Sequence, residues 1–234
     1  MRLREGFRRL GQLGPLALAS ALLPPIGSLV LLGTVEQSAG WLRGHGALGL
    51  LAFVAGFAVC GGLALLPTYT PALIGGWAFG LALGLPATLL GFAAAATIGF
   101  VLSRRLSGDR LLAVLRDHPR GLVIHDAFVR SGFWRALLVA ALIRLPPNAP
   151  FAMGNLLMAA SRVAYGPYRV GTVVGLVPRA TAAVVVGAGL ARVDFSRPEQ
   201  SGAVFAGIAV TIGVVVTLGW MANRALARIE RYTP

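Results

Sequence analysis

The chain has no lysine: all 21 of its basic residues are arginine. It has one cysteine and eight acidic residues among 234 positions. A single cysteine excludes an intrachain disulfide, and Cys60, inside an apolar run, suits the role of a small packing residue. The three histidines, His45, His118 and His125, fall in polar connecting stretches without metal-ligand spacing, so neither a metal nor another cofactor is expected. There is no Gly-x-Ser-x-Gly, no His-x-x-x-His, no phosphate-binding glycine loop and no pair of acidic residues within an apolar run. Those absences argue against an enzyme. Arginine without lysine, in a chain rich in Ala, Gly, Leu and Val, points to a GC-rich bacterial genome.

What is present is apolar length. Mean hydropathy is +0.77, with 56% hydrophobic residues. Between Arg9 and Glu36 lie 26 uncharged residues, between Arg43 and Arg104 lie 60, and between Glu199 and Arg224 lie 24. A bilayer crossing needs about 20 apolar residues. The expected fold class is therefore all-α: a polytopic membrane protein with several transmembrane helices. The net charge of +13 is unevenly placed. Residues 1–9, 104–135 and 223–234 are positive, whereas 36–45 and 192–199 are balanced. That pattern puts both termini and the 104–135 segment in the cytoplasm, with the protein in the cell inner membrane. The arginines flank apolar runs, so they imply lipid head groups as partners and no nucleic acid.

Three regions follow. Residues 1–44 hold a basic start and a first apolar span, interrupted at Pro24-Pro25 and read as uncleaved. Residues 45–192 form the main domain, and 193–234 hold a last span and a basic tail. Within the polar segment, LLAVLRDH (111–118) has the pattern of an amphipathic surface helix. Inside the main domain two apolar stretches are broken by Gly and Pro. One is 67–103, with Pro67, Pro71, Gly75, Gly76, Gly80, Gly84 and Pro86; the other is 133–161, with Pro146-Pro147 at its middle. Read as halves of roughly 14–18 residues, neither stretch crosses simply. Both are expected to be re-entrant helical hairpins, and paired interruptions of this kind mark transporter binding sites. Gly76, Gly80 and Gly84 recur every four residues, as do Gly171 and Gly175, placing small residues on single helix faces for close packing. The same spacing leaves a homo-oligomer open.

GGWAFGLALGLPATLLGFAAAATIGFVLSRRL (75–106) resembles the first signature of the VTT-domain membrane proteins, the DedA or SNARE-associated Golgi protein superfamily. RLPPNAPFAMGN (144–155) followed by YRVGTVVGLVP (168–178) resembles the second. The resemblance spans residues 45–192. It implies two re-entrant hairpins, each followed by a spanning helix and related as an inverted repeat, and it implies lipid traffic as a scramblase or as a flippase of lipid-carrier phosphate. LLPTYTPALIGGWAFG (65–80) departs from the DedA branch in having no acidic residue, which fits the compact SNARE-associated branch better. An inverted repeat also conflicts with the simplest charge count, which lets both hairpins enter from the cytoplasm.

Arg144 and Arg179 are the two charges expected at membrane depth, where an arginine costs at least about 2.5–3.5 kcal/mol. No acidic residue is near either in sequence. Both adjoin prolines, where broken helices free N–H groups that suit an anion, and guanidinium matches phosphate with a bidentate fork. Asn148 and Asn155 satisfy interrupted backbone or line a polar path. The expected substrate-contacting set is Arg144, Arg179, Asn148, Asn155, Pro146, Pro147, Gly76 and Gly80. The expected partner is a membrane phospholipid or lipid-linked phosphate. The alternatives are ion or small-solute transport on the same scaffold, and a membrane scaffold that transports nothing.

Overall fold

The computed structural model describes residues 33–106, 132–145 and 151–193, with scattered positions between 202 and 224. The described residues are helical, with no strand among them. In chain order the helices are α1 (Val35–Gly44), α2 (Gly46–Gly62), α3 (Tyr69–Leu106), α4 (Phe133–Arg144), α5 (Phe151–Ala160) and α6 (Tyr165–Leu190). The amphipathic stretch expected at 111–118 and the Pro146-Pro147-Asn148 turn lie outside the described residues.

α3 is two helices. Gly80 has φ 68° and ψ −169°, a conformation essentially reserved for glycine. On a straight helix, Gly75 and Thr88 would sit roughly 20 Å apart. Instead, a Cβ added at Gly75 would lie 2.7 Å from Thr88 Oγ1, and one at Gly84 would strike the Gly75 carbonyl. The chain therefore folds back at Gly80, joining a short helix, α3a (69–79), to a long one, α3b (81–106). This corrects two expectations. Gly76 and Gly84 meet across the turn rather than sharing one helical face with Gly80. And the helix that covers the 67–103 stretch, Tyr69–Leu106, divides unequally, into 11 and 26 residues, not into two short halves.

α2, α3a and α3b form an N-shaped unit. Phe53 packs on both Gly75 and Phe79, with the Phe53 and Phe79 rings 5.7 Å apart, so α2 and α3a are antiparallel, and their tip is at residues 63–68. α2 and α3b run parallel, with Gly91 against Phe57 and Gly61 against Ala95. α4, α5 and α6 repeat this plan. Gly171 meets Leu137 and Gly175 meets Ala141, so α4 and α6 are parallel. All four of these contacts join residues 34 positions apart. The two units thus share one register as well as one shape.

The units pack head to tail. Tyr168, near the start of α6, stacks on Phe100, near the end of α3b, at 4.2 Å. At the other end Leu85 of α3b packs against Ala183 and Val184 of α6. α3b and α6 are therefore antiparallel. Each short helix docks on the long helix of the other unit. A Cβ at Gly76 would collide with the Val184 carbonyl and one at Gly187 with the Leu73 carbonyl, while α5 sets Phe151 against Phe92 and Asn155 against Gly99. Backbones approach this closely because the contacts are Gly and Ala. In lipid, where no hydrophobic effect drives helices together, such van der Waals contact is the main cohesive force.

The outer faces are apolar. Leu48, Leu51, Leu90, Trp134, Leu138, Val170 and Val174 are exposed. A water-soluble fold does not leave a belt of that kind uncovered. Two helical stretches, Tyr69–Arg105 and Tyr165–Leu190, meet the length and composition of a membrane crossing. Of these, 81–106 and α6 are each 26 residues, about 39 Å long. Further along, exposed Val210, Ile212, Val214 and Val216 lie at helical positions of the last apolar run.

Candidate functional site

The site is built where the two units meet. Arg144 is the last residue of α4 and is only 3% exposed. Its Nη1 donates to the Phe151 carbonyl at 2.9 Å, and its Nη2 donates to Asn155 Oδ1. The guanidinium also lies over the Phe151 ring, 4.6 Å from its centroid. Its Nε has no hydrogen-bond partner among the described residues. Gly154 and Gly175 make the room. A Cβ at Gly154 would press on Arg144 Nη1, and one at Gly175 would come within 2.8 Å of Arg144 Cβ.

Asn155 carries the connection onward. Its Oδ1 accepts from Tyr168 Oη at 2.9 Å, and the same hydroxyl meets the Ala96 carbonyl of α3b at 2.9 Å. Its amide nitrogen sits where a side chain at Gly99 would otherwise be. Arg144, Asn155 and Tyr168 thus tie α4, α5 and α6 to the first unit through one buried network. Tyr168 and Asn155 are almost completely enclosed, and each polar contact in such a place is worth making because the alternative is an unsatisfied group in hydrocarbon.

Arg179 belongs to the other tip. It lies on α6 and is 5% exposed; its Nη2 donates to Thr68 Oγ1 at 2.7 Å, and its guanidinium sits 5.2 Å from the Tyr69 ring centroid. Gly175, which touches Arg144, is one helical turn before Arg179, so Arg144 of α4 packs on the face of α6 that carries Arg179. Each also stands at the N-terminal end of a short helix: Arg179 at α3a and Arg144 at α5. Those ends carry partial positive charge from the helix dipole. Glu36, far off on α1, is the only acidic residue among those described. The contacts named for the two guanidiniums are all with neutral groups, and no carboxylate among the described residues lies beside them.

Of the residues expected to contact substrate, the fold joins Arg144 and Asn155 directly and sets Arg179 on α6 one turn beyond Gly175, which touches Arg144. Gly76 and Gly80 do not join them. Gly76 is closed against α6, and Gly80 is the α3a–α3b turn, roughly 18 Å along α3a from Thr68. Pro146, Pro147 and Asn148 lie outside the described residues. Tyr168 and Phe151 were not among the expected site residues.

The order of elements around the two arginines is also the span of a family match. The VTT domain family model matches residues 66–189, more than half of the chain. The chain belongs to the VTT-domain family. This agrees with the resemblance read from the two signatures, and it makes the chain a membrane protein of the DedA/SNARE-associated type. No curated protein and no solved structure matches it. The matched region of this VTT-domain protein opens at the first tip, on Leu66, and closes one residue before the end of α6. It holds a repeat that individual motifs hide. Leu66-Pro67, Pro71 and Gly75-Gly76 recur, at the same spacing, as Leu145-Pro146, Pro150 and Gly154-Asn155. The repeat places Asn155 where the first unit has Gly76, and it puts the first tip at the start of the 67–103 stretch, between α2 and α3a, rather than at its middle.

Proposed function

We propose that this VTT-domain protein is a lipid transporter, a scramblase or flippase of an anionic phospholipid or a lipid-carrier phosphate, and not an enzyme. The observation that carries the reading is the Arg144–Arg179 pair. The two guanidiniums are both buried, at the tips of oppositely directed helical pairs, in contact with neutral partners. Burying two like charges together is unfavourable on its own. A passing phosphate offsets that cost through bidentate, charge-assisted hydrogen bonds.

Helix lengths support placing the tips inside the bilayer. α3a, α4 and α5 have 11, 12 and 10 residues, about 15–18 Å each, or roughly half of a 30 Å hydrocarbon core. They read as re-entrant elements, with α3b and α6 as the spanning helices. The head group moves along the polar seam between the tips while its chains stay in the membrane. The positive segments favour the inner membrane with both termini cytoplasmic. The antiparallel units favour entry of the two hairpins from opposite faces.

Reconstitution tests the reading. Purified protein in liposomes carrying a fluorescent anionic lipid should let external dithionite bleach dye from both leaflets. Arg179→Gln should slow the transfer at equal protein content. Flux of ions or small solutes without lipid transfer would instead support the solute-transport alternative, and neither activity would support a scaffold.

A further inference from the structure

A cavity of about 550 Å³ lies away from the arginines, walled by α1, α2 and α3a. Its size is within the range of roughly 300–1,000 Å³ that holds small ligands. α2 creates it by presenting Ala52, Gly56 and Cys60, three small residues one turn apart, where a larger stripe would fill the space. A Cβ at Gly56 would meet nothing within 4 Å. Trp41, Leu42, Phe53, Phe57 and Ile74 continue the apolar wall, and Gln37 and Ser38 of α1 are its polar side chains among the described residues.

Three observations fix the chemistry of the occupant. The lining is almost wholly apolar, so water gains too few hydrogen bonds to fill it. The cavity runs along α2 for about 12 Å, from Ala52 to Cys60. Its α2 wall adjoins a helix face carrying exposed Leu51, Val59 and Leu63, a face suited to hydrocarbon. Its wall also reaches the first tip, where Leu66 and Pro71 flank Thr68, the partner of Arg179.

We propose that this cavity seats one hydrocarbon chain of a membrane lipid, beside the tip at which Arg179 meets Thr68. The link to Arg179 rests on the lipid-transport reading; occupancy of the cavity does not.

The test is photo-crosslinking of the full chain in liposomes, using phosphatidylglycerol with a diazirine in one acyl chain, followed by peptide mapping. Labelling should concentrate on residues 52–74, above that on the simply lipid-exposed Leu138 and Val174. Gly56→Phe and, independently, Ala52→Phe should remove the excess on 52–74 and leave Leu138 and Val174 labelled as before. Gly40→Phe, an equally open glycine on α1 that does not line the cavity, should change nothing. Equal labelling of 52–74 and the exposed faces, or an excess that persists in both filled variants, overturns the proposal. So does cross-linking that joins 52–74 to another protein segment or a second copy in place of lipid. Dithionite bleaching on the same samples decides the transport reading separately: labelling as expected without lipid transfer would sink transport and leave the chain site standing.

Discussion

Replacing Asn155 by Ala removes one acceptor from two donors. Asn155 Oδ1 receives Arg144 Nη2, and it receives Tyr168 Oη at 2.9 Å. A hydrogen bond to a charged group contributes about 1.5–3 kcal/mol. The neutral bond contributes about 0.6 kcal/mol, the average measured between membrane helices. Asn155→Ala should therefore destabilise the fold by about 2–3.5 kcal/mol. Tyr168→Phe keeps the ring stacked on Phe100 and loses only the hydroxyl, so its cost should be smaller, about 0.6–1.7 kcal/mol. In the double variant the Asn155–Tyr168 bond is lost once, and the combined cost should fall short of the sum by about 0.6 kcal/mol. Reversible unfolding in mixed lipid–detergent micelles, followed by far-UV circular dichroism, measures all three. An Asn155→Ala variant within about 0.5 kcal/mol of the parent, the range of an inert surface change, would refute the network as an energetic unit.

Other outcomes follow from single positions. Gly80→Ala has open space for its methyl group but not the required backbone conformation, and should cost about 1–3 kcal/mol in the same unfolding assay. Gly76→Val drives a side chain into the Val184 carbonyl and the Ala188 amide, neither of which can yield; separation of α3a from α6 should lower stability by about 1–3 kcal/mol. Leu138→Arg on the outer face of α4 should impair membrane insertion by about 2.5–3.5 kcal/mol in a glycosylation-based insertion assay, whereas a water-exposed surface there would tolerate it.

Much of this was legible in the sequence because it rests on composition. Charge-free runs and flanking arginines announce a helical membrane protein, and the Phe79-Gly80 and Leu-Pro-Pro signatures announce its family. Arg144 and Arg179 stand out because nothing near them in sequence balances them. The boundaries of the first hairpin were less accessible. Gly76, Gly80 and Gly84 at four-residue spacing read as one face of one helix, and only backbone conformation distinguishes a packing glycine from a turning one. Tyr168 was hidden for another reason. Its partners, Ala96 and Asn155, come from two other helices, and a tyrosine near a helix start equally suits the membrane interface. The docking of each short helix on the long helix of the opposite unit is a tertiary fact with no local signature. The repeat of Leu-Pro, Pro and Gly at 66–75 and 145–154 is the trace that does reach the sequence.

The central claim is that uncancelled arginine charge at the tips handles an anionic head group. Asn155→Asp tests it most directly, because it keeps the shape of the side chain and the acceptor for Arg144 while adding the missing negative charge. In liposomes carrying fluorescent phosphatidylglycerol, parent protein should let dithionite bleach dye beyond the outer leaflet. Folded Asn155→Asp protein, at the same density, should bring bleaching back toward that of protein-free liposomes. Transfer by Asn155→Asp at the parent rate would contradict the account.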